Sequence, residues 1–422
     1  MAFPRMLRIR QQFDAPRVEN IPAEVERQLT TLNLQTKIQP GQTVAITAGS
    51  RGIANIAIII KAVVQHFQRL GAKPFIVPAM GSHGGGTAEG QREIIEGYGV
   101  TEEFCGCPIK ASMETVIVAE TPHGIPVHFD KHASQADHVM VCGRIKPHTD
   151  FVGEIESGLH KMMLIGLGKH AGAKIYHRAI MDYSWIEIVR SVAEAVIRNC
   201  KVIGGLGIVE NAYDETGLIA AVAPENFFEQ EKELLVLAKK WLPRLPFRKV
   251  HLLVIDEIGK NISGTGMDTN VIGRKYNDHQ PTDRDDTAVR TVFVRGLTEA
   301  THGNACGIGM SEFTNTRTVN QIDRRITAIN SITGGHSSAA AIPIWFDTDR
   351  EVMENALTTI GLATPPQAKV IQIPDTLHLA EVLVSEAYLE EIKQRPDLQI
   401  LSEPQEMQFD ADGNLFPVGI GH

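Results

Sequence analysis

The sequence is poor in the features that mark several large protein classes. Cysteine occurs only five times, at Cys105, Cys107, Cys142, Cys200 and Cys306. So sparse and odd a set does not make a disulfide framework and fits reduced thiols. Cys105-Gly-Cys107 is too tight for a zinc-finger pair and reads as structural, since free cysteine commonly behaves as a small buried hydrophobe. No apolar stretch approaches the length of a membrane span, and MAFPRMLRIRQQFD lacks the apolar run of a secretory signal, so the chain is expected in the cytoplasm. There is no lysine/arginine block, and the formal net charge is -9. Phosphate backbones need concentrated positive charge, so nucleic acid is not an expected partner and small molecules are.

What is present is a globular composition, 43% hydrophobic and 22% charged over 422 residues. That length calls for more than one core. From Gln42 onward strand and helix alternate. Thr43 to Thr47 reads as a strand, and Ile56, Ile60, Val63, Phe67 and Leu70 form one helical stripe closed by Gly71. The strand Pro74 to Met80 runs into Gly81-Ser82-His83-Gly84-Gly85-Gly86, and Thr87 caps a helix through Tyr98. Further strands are expected at Thr115 to Ala119, Val127 to Phe129, His138 to Val141, Val202 to Val209 and Leu218 to Val222, with helices at Trp185 to Arg198 and Pro224 to Trp241. Leu242-Pro243-Arg244-Leu245-Pro246-Phe247 breaks helix twice and marks a linker. Strands at Val250 to Ile255, Arg290 to Val294 and Val370 to Ile373, with helices near Thr318 to Asn330 and at Asp349 to Ile360, complete a second pattern. The expected architecture is two α/β domains, 1–245 and 246–422, with mainly parallel sheets and a ligand cleft between them that the second domain closes.

Eight of the sixteen histidines lie between His123 and His177, mostly in polar or glycine-rich sequence. His83 follows a strand, at the end where open α/β sheets bind ligands. Lys161 precedes the apolar run Met162-Met163-Leu164-Ile165, a setting that partly buries its stem; a desolvated lysine loses its proton more easily and can serve as a covalent anchor. Lys146 and Lys169 lack such a setting and read as phosphate or surface contacts. Glycines such as Gly81, Gly158 and Gly166 let backbone approach a ligand closely. No Walker A, zincin, Rossmann or G-x-S-x-G signature occurs. By themselves these residues suit a nitrogen-ligated metal or acid/base chemistry.

At these positions the sequence resembles the nickel-dependent lactate racemase family. Gly49-Ser50-Arg51-Gly52 resembles its arginine motif, Gly81-Ser82-His83 its Gly-x-His motif, and His148, Lys161 and His177 its later histidine, lysine and histidine, in the same order and at similar spacing. The resemblance implies a nickel-pincer nucleotide tethered to Lys161, with Gly81, Gly158 and Gly166 around it and His177 as the protein ligand to nickel. It makes His83 and His148 the acid/base pair and Arg51 the carboxylate clamp. The implied activity is racemisation or epimerisation of a 2-hydroxy acid by reversible hydride transfer, and cofactor-synthesis enzymes would be partners. Lys260, Asp268 and Asn270, in the glycine-rich stretch after Val250 to Ile255, are the second domain's substrate-contact candidates, with Arg274 and Lys275 beside them. The chain departs from the family pattern at Ala48, where an aspartate is usual, at Gly84, where an arginine follows the first histidine, and in a longer His148-to-Lys161 interval. These differences surround the substrate and imply a hydroxy acid other than lactate. The alternatives are a histidine-ligated metal-dependent hydrolase or lyase with no organic cofactor, for which Lys161 is dispensable, and a non-catalytic cofactor carrier, which leaves His83 without a role.

Overall fold

The computed structural model describes residues 2–49 and 52–419. The chain forms two compact units, residues 15–242 and residues 1–14 with 243–422. The break at Leu242/Pro243 falls in the proline-rich segment, beside the expected 245/246 boundary. The difference lies at the start, because strand β1 (Arg5–Gln11) belongs to the second unit's sheet. Its arginines disguise a strand: Leu7 and Ile9 are fully buried in one core and Met6 faces another. Gln11 is buried too, and its amide donates to the carbonyls of Leu379 (2.7 Å) and Arg244 (3.1 Å).

The first unit holds β2 (Thr43–Ala48), β3 (Lys73–Pro78), β4 (Thr115–Glu120), β5 (Pro126–Asp130), β6 (His138–Arg144), β7 (Val202–Glu210) and β8 (Thr216–Val222). Five of them make one sheet in the order β3-β2-β6-β7-β8, parallel except for the antiparallel β7/β8 pair, while β4 and β5 form a separate hairpin. The helix Ile56–Arg69 presents the expected stripe, burying Ile56, Ile60, Val63 and Phe67. Thr87 caps the helix Ala88–Gly97 by accepting from Gly90 N–H. Ser184 and Glu187 form a capping box at the start of the helix Trp185–Asn199, so the backbone donors there are satisfied and the helix can bury Ile188, Val189, Val192 and Val196. Apolar residues on both faces of this sheet give two cores, one centred on Val139, Val141, Leu164 and Val192, the other on Ile46, Ile60, Phe67 and Leu206.

The second unit is built on a nine-stranded sheet, ordered β12-β11-β10-β9-β13-β14-β1-β15, with β16 also paired to β1. Here β9 is Lys249–Ile255, β10 Ala288–Val294, β11 Phe313–Asn315, β12 Ile344–Phe346, β13 Val370–Ile373, β14 Glu381–Ser385, β15 Leu398–Ile400 and β16 Gln405–Glu406. The run from β12 to β13 is parallel, and pairing from β13 through β15 is antiparallel. The helix expected near Thr318 to Asn330 is two helices, Thr316–Gln321 and Arg324–Thr333. Asp323 divides them, because its carboxylate accepts from Arg325 and Ile326 N–H and so starts a new helix. Among the described residues no helix is long and apolar enough to cross a membrane.

Candidate active site

The parallel strands β2, β3 and β6 lead directly into the motif segments. Ser50 and Arg51, the latter expected to clamp a carboxylate, lie outside the described residues. After β3 the chain turns through Gly81, at φ +62°, to half-buried His83, then through Gly84, Gly85 and Gly86, each near φ +66°. A backbone in that region is strained for any residue with a Cβ, so the glycine run is a geometric requirement of the loop.

The Lys161 segment packs against this loop. A Cβ on Gly81 would lie 2.7 Å from Ile165 Cγ2, one on Gly166 would lie 2.9 Å from the Ala79 carbonyl, and one on Gly158 would lie 2.3 Å from Glu231 Oε1. All three glycines are therefore needed for chain-on-chain contact, a role separate from any ligand. Met162 binds the segment further, its methyl being 3.3 Å from a Cβ position on Gly49 and 3.5 Å from one on Gly143. The loop after β2, the end of β6, the His83 loop and the Lys161 segment thus converge. Met162–Gly166 is a π turn, with Leu167 N–H donating to the Met162 carbonyl at 2.9 Å. Such turns concentrate at functional sites, because the widened backbone re-aims neighbouring side chains. Lys161 itself is half-buried, in line with its place before the apolar run.

Behind Lys161 the chain is held by Glu231. Its carboxylate is fully buried, and one oxygen accepts both the His160 backbone N–H (3.0 Å) and the His160 ring at Nδ1 (2.7 Å). Sequence reasoning passed over this pair, since Glu231 sits in a charged helix, Phe227–Trp241, that reads as solvated.

His148 and His177 meet around one aromatic ring. His148 stacks on Phe151 with centroids 4.5 Å apart, Phe151 stacks on Trp185 at 4.4 Å, and His177 lies 6.3 Å from Phe151. His148 Nδ1 accepts N–H bonds from Asp150 (3.0 Å) and Phe151 (3.2 Å), while the His148 backbone N–H donates to Glu156 Oε2 at 2.9 Å. With Nδ1 accepting, the neutral ring carries its proton on Nε2 and presents a donor. Burial, with Lys161 adding positive charge and Asp150 partly opposing, pushes His177 down to about 4. At neutral pH this imidazole is uncharged, with the lone pair a metal requires.

Two sequence expectations are corrected. The histidine-rich stretch is not all loop: His170 and His177 lie on the helix Lys169–Asp182, which starts from the π turn without a side-chain cap and so leaves no start signal in the sequence. Lys169 is not a surface or phosphate contact. It is fully buried, 3.0 Å from the equally buried Asp130, and it donates to the Pro78 carbonyl. It also meets Gln91 Oε1 at 3.5 Å, while the Gln91 amide donates to Gly81 O (2.8 Å) and His83 O (3.4 Å). A buried charge network thereby underlies the His83 loop. Burial holds the Lys169 ammonium below its ordinary value, with Asp130 opposing.

In the second unit, Asp268 caps the short helix Thr269–Ile272: its Oδ1 accepts from Asn270 N–H (2.9 Å) and Asn270 Nδ2 (2.8 Å), and Thr376 Oγ1 accepts its own N–H at 2.9 Å. Lys260 donates to the Gly264 carbonyl. Arg274 is wholly buried and ties β10 to the helix end, with Nη1 donating to Val289 O at 2.7 Å. Each of these residues has local work in the loop. Among the described residues no group of three or more His, Cys, Asp or Glu side chains is placed to hold a metal ion.

The fold and site define a two-unit α/β protein whose first unit packs a glycine-rich histidine loop at the end of β3 against the Lys161 segment. Residues 6–186 match the family model of the lactate racemase N-terminal domain. The fold is similar to the structure of the lactate racemase apoprotein from Thermoanaerobacterium thermosaccharolyticum, with a TM-score of 0.53, 14% identity, and coverage of 87% of this chain and 94% of that one. No curated protein sequence matches the chain.

Proposed function

We propose that this chain is a cytoplasmic racemase or epimerase of a 2-hydroxy acid other than lactate, working with a nickel-pincer nucleotide attached to Lys161. The observation that carries the reading is the convergence of the His83 loop, His148, Lys161 and His177 in a unit that matches the lactate racemase N-terminal domain. The residues fit such a group. His177 offers a neutral imidazole beside the Lys161 amine, and a lone histidine suits a metal that takes its remaining donors from an organic partner better than a bare ion, which would need three or more protein ligands. Bound there, the group would supply a reversible hydride acceptor, which makes the reacting carbon of the substrate planar.

The protein's own part is proton movement and orientation. His83 is suited to take the substrate hydroxyl proton from one side, and Arg51 to hold the carboxylate. His148 offers an Nε2–H donor in this conformation. To act as the base for the opposite isomer it must carry its proton on Nδ1, and the Asp150 and Phe151 amides must first release that atom. The 149–151 turn is thus a switch in the proposed cycle. Lys260, Asp268 and Asn270 remain proposed substrate contacts, with the condition that Asp268 and Asn270 keep or exchange their mutual hydrogen bond. A small hydroxy acid, the cofactor-synthesis enzymes and further copies of the chain are the proposed partners.

The test is intact-protein mass spectrometry with nickel analysis on chain co-produced with cofactor-synthesis enzymes, followed by peptide mapping and a hydroxy-acid racemisation screen. A mass adduct on Lys161 that is lost in Lys161→Ala, with nickel equimolar to protein, is the expected result. An unmodified chain holding zinc would overturn the proposal in favour of a metal-dependent hydrolase. Lactate as the best substrate would overturn the substrate assignment.

A further inference from the structure

A cavity of about 890 Å³ opens at the amino ends of β9 and β10 in the second unit. Arg248, Lys249, His251, His279 and Arg290 line it, and no aspartate or glutamate does. In a chain of net charge -9 this is a local reversal of sign. Among the described residues none of the five forms a salt bridge, and Asp278, beside His279, is not among the lining residues.

Two of these groups are also fixed in direction. Arg290 Nη1 donates to the Ile360 carbonyl at 2.6 Å, at the end of the helix Asp349–Thr359, which anchors the guanidinium while leaving it further N–H groups. His251 Nδ1 accepts the Lys369 backbone N–H at 3.0 Å, so the neutral ring keeps its proton on Nε2. Burial, reinforced by Lys249, Arg290 and Lys369, holds His251 below the ordinary histidine range and hence uncharged at neutral pH. It is an oriented donor beside two cations. Register places them together, since Lys249 pairs with Ala288 and Val250 with Val289, with His251 and Arg290 next along the two strands. The lining also has apolar members, Ile360, Pro281 and Leu362, and Leu362 stands fully exposed. A large aliphatic side chain in water beside a cluster of oriented donors suits a ligand with a charged head and a compact apolar body.

We propose that this cavity binds a phosphate monoester, its phosphoryl oxygens facing Arg290, Lys249 and His251 and its carbon body lying on Ile360 and Leu362. A planar forked guanidinium with a neighbouring ammonium matches a phosphoryl dianion, whereas a single carboxylate would leave much of this charge unpaired. The cavity sits at the amino ends of parallel strands, opposite the carboxyl ends at which such sheets usually hold their reactants, so it is a separate site and does not rest on the racemase reading.

Calorimetric titration of the full chain with phenyl phosphate and with inorganic phosphate tests this. Phenyl phosphate should bind saturably at one site, inorganic phosphate should compete more weakly, and both should weaken as salt rises. Lys249→Gln and Arg290→Gln should each weaken phenyl phosphate about tenfold or more, the loss of one charge-assisted contact. Leu362→Ser should weaken phenyl phosphate and leave inorganic phosphate unchanged. Thermal unfolding of each variant establishes that it is folded, and Lys249→Gln serves if Arg290 proves necessary for folding. Absence of saturable binding, or equal binding by wild type and by a folded Lys249→Gln variant, overturns the proposal.

Discussion

Replacing Lys169 by methionine should be among the most destabilising single changes in the first unit. Lys169 and Asp130 are both fully buried at 3.0 Å. Asp130 Oδ1 accepts from Ala133 N–H at 2.8 Å, but Oδ2 has no hydrogen bond in the described structure, so the ammonium is its compensating charge. Methionine keeps most of the volume and removes that charge. Breaking a buried pair from one side costs about 3–5 kcal/mol, because an uncompensated carboxylate is left in a low-dielectric setting. Lys169→Met/Asp130→Asn should recover most of the loss, since asparagine keeps the Oδ1 cap and removes the charge. Denaturant unfolding followed by fluorescence in a Trp345→Phe background reads this unit alone, as the remaining Trp185 and Trp241 are both buried in it. A loss of less than about 1 kcal/mol, unchanged in the double variant, would refute the argument, since surface pairs alone behave that way.

His177 should remain neutral through the mildly acidic range, with its ring signals in NMR titrating near the value of about 4 set by burial and Lys161. Lys161→Ala removes one of the groups that lower it, so the midpoint should move upward; an unchanged midpoint would mean that burial alone acts. Gly81→Ala combines a positive φ with a 2.7 Å approach to Ile165, and it should destabilise by about 1–3 kcal/mol as an overpacked, strained position. The disturbance should also appear as shifted His83 signals in the same spectra, and retention of both stability and shifts would count against the packing described for this loop.

Much of the first unit was legible because its strands and helices carry their own punctuation. Gly71 stops one helix, Thr87 and Ser184 start two others, and the doubled prolines after Leu242 separate the units. The positions of His83 and Lys161 along the chain stood out for the same reason, since the first follows a strand and the second precedes an apolar run, whereas His177, inside an uncapped helix, stood out only through the family resemblance. What escaped were features determined by partners distant in sequence. β1 is read correctly only when β14 and β15, hundreds of residues away, supply its hydrogen bonds. Lys169 looked like a surface lysine because nothing within ten residues announces Asp130, and nothing near Glu231 announces its partner His160. Both of these hidden carboxylate pairs lie behind the site. Asp130 reaches the His83 loop through Lys169 and Gln91, and Glu231 fixes the backbone immediately before Lys161. A reactive loop that must hold imidazoles in place cannot rely on its own glycine-rich backbone, which resists deformation weakly. Rigidity has to be imported from the surrounding elements through directional, buried contacts, and those contacts are long-range by construction. The residues proposed to bear the chemistry are therefore the readable part of such a site, while the residues that hold them still become visible only in the fold.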